Sequence, residues 1–223
     1  HANQLTGSIP ALAGLTNLSD FRVWGNQLNG RIPVLTGLIN LSHFDANYNQ
    51  LTSGIPVLAG LTNLAYFDVD TNRLYGNLLD STLNGLTNLQ EFYIEGNQFT
   101  GSITSLTRLT NLTQFWASNN LFSSPIPNFS GLSNLSSFQA YRNQLAGPLP
   151  AFTGLTNLGE FDVRLNQITG NLPALTDLTK LVSFVGYGNQ LSGPIPALQG
   201  LPKLQEFIPY KHMLIDAHPA LTV

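Results

Sequence analysis

The chain repeats itself, and this constrains its fold more than any other feature. Asparagines recur at Asn3, Asn26, Asn49, Asn72, Asn97, Asn120, Asn143, Asn166 and Asn189, in steps of 23 residues with a single step of 25. Phenylalanine keeps the same phase at Phe21, Phe44, Phe67, Phe92, Phe115, Phe138, Phe161, Phe184 and Phe207, and leucine follows from Leu18 and Leu41 through to Leu204. A unit of this length cannot bury its apolar stripe alone. Neighbouring units must stack, and the stack builds one continuous core.

One unit reads Leu18-x-x-Phe21-x-Val23-x-x-Asn26-x-Leu28-x-Gly30-x-Ile32-Pro33. Its middle alternates apolar and polar residues, which predicts a strand half-buried on one face. Strands of successive units then lie ~4.8 Å apart in a parallel sheet. The Leu-x-Gly that follows reads as a turn. Ile-Pro resists helix, because the residue before proline is pushed to extended geometry. The return leg Leu35-x-Gly37-Leu38 predicts extended or 3₁₀ backbone. An unpaired buried amide costs about 1–3 kcal/mol, so the asparagine column is expected to pair with the backbone of its own and the adjacent coil.

Leu-x-x-Leu-x-Leu-x-x-Asn-x-Leu, here with Phe often in the second Leu place, resembles the leucine-rich-repeat signature. The Leu-x-Gly-x-Ile-Pro extension is similar to the plant-specific subclass, which includes receptor-kinase ectodomains and polygalacturonase-inhibiting proteins. The resemblance covers residues 4–204. It implies an α/β-type leucine-rich-repeat solenoid, mostly β and irregular, with a curved parallel sheet on the concave face and a non-helical convex side. It also implies partner binding of the receptor or inhibitor kind, and an extracellular or secreted location. Two departures stand out: the Ile-Pro-to-Leu segment is one residue shorter than that subclass usually has, and the flanking cysteine pairs are missing, the chain having no cysteine. These fit a bacterial protein with plant-like repeats, such as a surface protein or host-directed effector.

The expected organisation is a solenoid of about nine coils over residues 1–204, its first coil incomplete, and a capping segment over 205–223. Asn3 falls mid-unit, which suggests a cap or coils ahead of it. Pro202 and Pro209 intrude near the end, and His212 replaces the ladder asparagine. The 25-residue step places Leu79-Asp80-Ser81-Thr82 as an insertion bulging from the back, where Ile-Pro is lost; Ile103-Thr104 also lacks its proline.

Composition excludes several classes. Charged residues are 9% of the chain, against roughly 25% in an average globular protein. With 9 Lys+Arg against 12 Asp+Glu the formal charge is −3, so the basic field a duplex nucleic-acid binder needs is absent. No apolar run is long enough to span a membrane. Without cysteine there is no disulfide framework, thiolate metal site or Cys nucleophile. Gly186-Tyr187-Gly188 breaks the dinucleotide fingerprint, since Leu191 stands where a third glycine belongs. No cofactor is expected.

Polar positions between the inward residues of each strand face outward and form three columns. The first is Asp20, His43, Tyr66, Glu91, Gln114, Ser137, Glu160, Ser183 and Glu206. The second is Arg22, Asp45, Asp68, Tyr93, Trp116, Gln139, Asp162, Val185 and Ile208. The third is Trp24, Asn47, Asp70, Glu95, Ser118, Tyr141, Arg164, Tyr187 and Tyr210, with Tyr48, Arg142 and Lys211 beside it. Nine of the 12 acids but four of the nine bases fall on this face, as do both tryptophans and every tyrosine except Tyr75. Aromatics with sparse charge on a broad sheet are the composition of a recognition surface.

The expected function is therefore a non-enzymatic module binding a protein or peptide that carries a cationic group. Candidate ligand-binding residues are Trp24, Asp45, Tyr48, Tyr66, Asp68, Asp70, Glu91, Tyr93, Glu95, Trp116, Tyr141, Arg142, Asp162, Arg164 and Tyr187. Asp45, Asp68, Asp70, Glu91 and Glu95 crowd three adjacent coils, and like charges opposite one another destabilise a sheet, so folding alone offers no reason for them. The alternatives are a solvated polar face and, for Asp45, Asp68 and Asp70, a Ca²⁺ site, which lacks a surrounding loop of carbonyl ligands. Arg142 and Arg164 suit a ligand carboxylate or cross-strand ion pairs. A glycan hydrolase using Asp45 and Asp68 is disfavoured, because an open sheet lacks the enclosed cleft that raises an acid's pKa. The alternative function is ice or carbohydrate binding, suggested by a hydroxyl column at Thr16, Thr62, Thr87, Thr110, Thr156 and Thr179, interrupted by Ile39 and Ser133.

Overall fold

The computed structural model describes residues 2–210. Nine three-residue strands form one parallel sheet in sequential order, from Asp20–Arg22 through His43–Asp45, Tyr66–Asp68, Glu91–Tyr93, Gln114–Trp116, Ser137–Gln139, Glu160–Asp162 and Ser183–Val185 to Glu206–Ile208. The last strand lies inside the segment expected to cap the solenoid. The remainder of that expectation, including Lys211 and His212, falls outside the described residues.

The middle residue of every strand is the repeating phenylalanine, paired in register from Phe21 to Phe207. Alternation turns these rings inward, where Phe44 through Phe184 are fully buried. Each ring packs on the next; Phe44 and Phe67 are 5.2 Å apart by centroid, and the widest gap, Phe67 to Phe92, is 5.9 Å. Burying such a ring contributes about 1.5–3 kcal/mol, so the spine is a large share of the force that stacks the coils.

The asparagine column does what an interior amide must. Asn120 Nδ2 donates to Ile94 O of the preceding coil at 2.8 Å, and its Oδ1 accepts the Phe99 N–H at 2.9 Å. The same two links recur at Asn49, Asn72, Asn97, Asn143, Asn166 and Asn189. To aim the amide inward, the residue before each asparagine takes a left-handed conformation. Gly25, Gly96 and Gly188 do so readily, but Tyr48, Thr71, Asn119, Arg142 and Leu165 are held at φ between 48° and 58°.

A second set of parallel strands flanks the main sheet, where the sequence suggested only turns. It comes in three pieces: Thr6–Ser8 with Gln27–Arg31 and Gln50–Thr52; Tyr75–Asn77 with Gln98–Gly101 and Leu121–Phe122; and Ala146–Pro148 with Gln167–Asn171 and Gln190–Ser192. Both breaks follow the two coils in which serine, Ser53 or Ser124, replaces the glycine of Leu-x-Gly. That glycine is left-handed in the other coils; Ser53 is forced to φ 71° and is followed by Gly54, while Ser124 precedes Pro125, which has no N–H to give.

The back is irregular, with successive i to i−3 turns such as Leu38 N–H to Leu35 O and Leu41 N–H to Leu38 O. Helical backbone occurs where the coil has lost its Ile-Pro: a four-residue α-helix at Asp80–Leu83 and a 3₁₀ helix at Thr104–Arg108. The insertion is thus wound into a helical turn rather than left as a loose bulge, with Leu83 buried and Leu79 exposed.

A β-branched residue in the left-handed region costs about 1–2 kcal/mol, partly offset by the entropy of glycine. Thr71→Gly is therefore expected to raise stability by roughly 0.5–1 kcal/mol in urea unfolding. A loss of stability would show that Thr71 is not strained.

Candidate functional site

Strand register brings the three outward columns together. Asp45, Asp68, Tyr93 and Trp116 are consecutive partners in the second column, and Tyr66, Glu91 and Gln114 in the first. Backbone bonds continue the register into the third column, with Gly25 N–H to Asn47 O, Tyr48 N–H to Asp70 O, Thr71 N–H to Glu95 O and Leu165 N–H to Tyr187 O.

Asp45 and Asp68 do not fit the alternative of a solvated polar face. Asp45 is 6% exposed and Asp68 5%. Each second-column aspartate accepts the N–H two residues on, at the end of its strand: Asp45 from Asn47 at 3.3 Å, Asp68 from Asp70 at 2.9 Å and Asp162 from Arg164 at 3.1 Å. In the fourth coil this place is taken by Tyr93, which cannot accept there, and the Glu95 N–H bonds to Asp70 of the preceding coil instead. These backbone bonds give Asp45, Asp68 and Asp70 a part in the fold, which the reading from like-charge repulsion did not include. Asp68 Oδ2 also accepts from Asn47 Nδ2 at 2.5 Å and from the Tyr66 hydroxyl at 3.1 Å. Among the described residues no group of three or more His, Cys, Asp or Glu is arranged to hold a metal ion.

Burial sets the protonation of this cluster. Loss of water pushes Asp45 up to about 6, against a stabilising backbone bond from Asn47. Asp70 is pushed up to about 8, by burial first and then by the charge of Asp68. Burial also raises Asp68 and Asp162 and lowers His43. The face is accordingly less negative near pH 7 than its formal count.

Beside the acids runs a continuous series of rings. His43 stacks on Tyr66 at 4.0 Å, Tyr66 meets Tyr93 edge-on at 5.5 Å, and Tyr93 lies 4.7 Å from Trp116. The Tyr93 hydroxyl donates to Glu91 Oε2 at 2.6 Å, and Trp116 Nε1 to Ser137 Oγ at 3.2 Å. Further along, Tyr141 donates to Glu95 Oε1 at 2.9 Å. The Arg164 guanidinium sits 4.3 Å over the Tyr141 ring and 6.0 Å from that of Tyr187, while pairing with Asp162 at 2.9 Å. Arg164 is thus paired within the fold. Tyr48 and Arg142 are exposed at the border of the sheet; Trp24, Trp116 and Tyr187 are half-buried, and Tyr93 is buried by its neighbours. The ligand-binding set read from the sequence includes neither His43, which extends the ring series, nor Asn47, Ser118 and Asn119, which hold or border the carboxylates. Their only signal was a place in or next to a column.

Outside the sheet lies a second, exposed asparagine series. Asn40 Nδ2 donates to Thr16 O at 2.8 Å, and Asn63, Asn88, Asn111, Asn134 and Asn157 repeat the bond to Ile39, Thr62, Thr87, Thr110 and Ser133. It fixes the hydroxyl column at the spacing of the coils.

A stack of about nine turns, with one parallel strand in each and an asparagine after every strand but the last, defines a leucine-rich-repeat solenoid. No family model matches the chain, and no curated protein matches it. Solved structures do. The leucine-rich-repeat ectodomain of the plant membrane receptor kinase GASSHO1/SCHENGEN3 from Arabidopsis thaliana, in complex with CASPARIAN STRIP INTEGRITY FACTOR 2, is similar at a TM-score of 0.88 and 31% identity, over 94% of this chain and 26% of that one. The Arabidopsis receptor kinase HAESA, in complex with the peptide hormone IDA and the co-receptor SERK1, is similar at 0.76 and 29%, over 92% and 40%. A plant ice-binding protein is similar at 0.69 and 26%, over 86% and 64%. The chain thus spans between about a quarter and two fifths of the receptor chains. No helix among the described residues is long and apolar enough to cross a membrane.

A carboxyl whose folded pKa lies above its unfolded value, ~3.9, stabilises the fold at low pH and loses that contribution as pH rises through the folded pKa. For Asp70 the window runs from about 4 to about 8. Between pH 6.5 and 8, above the range where His43 works in the opposite sense, stability is expected to fall by up to about 1.4 kcal/mol per pH unit. Melting temperature should fall with it, by about 2–4 °C per kcal/mol, and Asp70→Asn should flatten the slope. A melting temperature that rises over this range in the unmutated protein would contradict the assignment.

Proposed function

We propose that the outer face of the nine-stranded sheet binds a peptide or protein partner, and that the chain is a recognition module rather than an enzyme, working outside the cell. The observation that carries this is the continuous ring series His43–Tyr66–Tyr93–Trp116, which spans four coils, steps from the first column to the second between Tyr66 and Tyr93, and is bordered by buried and half-buried carboxyls. Rings and satisfied polar groups held rigid before binding lose little entropy on docking. The likeness to receptor ectodomains solved with a peptide hormone supports the same reading. The paired state of Arg164 makes it a support for Tyr141 and Tyr187, and leaves the exposed Arg142 as the base at the border of the face.

Selection of displayed peptides against the protein tests this. Enriched peptides are expected to lose affinity at least about tenfold for Trp116→Ala, the size typical of an interface anchor, and to be indifferent to Thr156→Ala on the flank. Peptides indifferent to Trp116→Ala and to Tyr187→Ala would sink the reading.

One observation favours a second reading. The exposed hydroxyl column, fixed by the outer asparagine series, is a regular polar array of the kind an ordered water lattice or a glycan can match, and a plant ice-binding protein shares the fold. Thermal hysteresis that disappears on replacing Thr87 and Thr110 by tyrosine would establish it. No hysteresis in the unmutated protein would remove ice from consideration.

A further inference from the structure

The third column changes character at its fifth coil. Glu95, Ser118 and Tyr141 succeed one another there, and Ser118 is a small residue between two large ones. Tyr141 crosses that coil to reach Glu95 Oε1 at 2.9 Å, and Asn119 Nδ2 donates to the same oxygen at 3.1 Å. In the coil that the bridge crosses, the Ser118 side chain is completely buried, and its hydroxyl is the one buried side-chain polar atom among the described residues with no hydrogen-bond partner. An unpaired buried hydroxyl destabilises a fold, and alanine would remove the penalty. Stability therefore does not account for this serine.

Glu95 receives two neutral donors here, and among the described residues it forms no ion pair. Both donors to Glu95 reach Oε1, and a carboxylate has room for roughly four hydrogen bonds. The nearest base in the column, Arg164, is held by Asp162 and lies over the Tyr141 ring. That contact also shows the ring in use as a platform for a planar cation. A guanidinium carries five N–H donors in a plane, two of which match a carboxylate, and it stacks on aromatic faces in a way an ammonium does not.

We propose that Glu95, Ser118 and Tyr141 form a subsite for one guanidinium group of a peptide partner, with the Tyr141–Glu95 hydrogen bond as its closed state. Opening moves the Tyr141 hydroxyl off Glu95, presents both carboxylate oxygens and uncovers the Ser118 oxygen as a third acceptor. The inference rests on the peptide-binding reading of the face and names the chemistry one part of that face selects.

Calorimetric titration of the intact protein with N-acetyl-arginine methylamide tests it, with the citrulline and lysine analogues as comparators. The arginine compound is expected to bind weakly, the lysine compound more weakly, and the uncharged citrulline compound not measurably. Glu95→Gln should weaken arginine binding by about tenfold or more, the loss of a charge-assisted bidentate pair. Ser118→Ala should weaken it several-fold without lowering the melting temperature. Tyr141→Phe, which removes the bond that competes for Glu95, should strengthen it. No binding of the arginine compound, equal binding of all three compounds, unchanged affinity in Glu95→Gln or weakened affinity in Tyr141→Phe each overturns the subsite. Failure here is separable from failure of the face. Selected peptides that depend on Trp116 but not on Glu95 would leave the recognition surface standing without this subsite.

Discussion

The interior asparagine of each coil is the interaction on which the rest depends. A coil of this length leaves backbone groups at the turn after its strand that no ladder satisfies. One amide side chain closes several of them: its nitrogen donates to carbonyls of its own and the preceding coil, and its oxygen takes an N–H of the preceding coil. The bonds are buried, so their loss would leave unpaired groups out of reach of water. They also fix register. A strand held by the asparagine behind it and by a phenylalanine packed on the next has one alignment with its neighbours, and the outward columns inherit that alignment.

The same constraint explains the strain and the breaks. Aiming the amide inward needs a left-handed residue before it, and the chain accepts tyrosine, threonine, arginine and leucine there as well as glycine. Where the later glycine is serine, the flanking sheet stops; where proline is missing, the back turns helical. On the outer face the acids are tied to strand-end amides and to tyrosine hydroxyls, so much of the surface is organised before any partner arrives.

The repeat made the main sheet, the phenylalanine spine and the composition of each column legible before any coordinates, because all three follow from period and alternation. The short return turns could be read from Ile-Pro. The flanking sheet could not, since Leu-x-Gly has the signature of a turn and its strands exist only by pairing between coils. The burial of Asp45, Asp68 and Tyr93 was equally hidden. Alternation says which way a side chain points, but not whether the tyrosine of the next coil will lie across it. The role of Asp70, standing in for an acceptor that Tyr93 cannot be, requires two coils to be seen at once.

Native-state hydrogen exchange with chemical denaturation on Asn120→Ala tests the central role of the ladder most directly. The expected loss is about 3 kcal/mol or more, from several buried groups orphaned together, with protection lost at Phe99 and at the sheet amides of Ile94 and Ala117 on both sides of the substitution. A loss below about 1 kcal/mol, within the range of one ordinary hydrogen bond, with exchange altered at Phe99 alone, would contradict it.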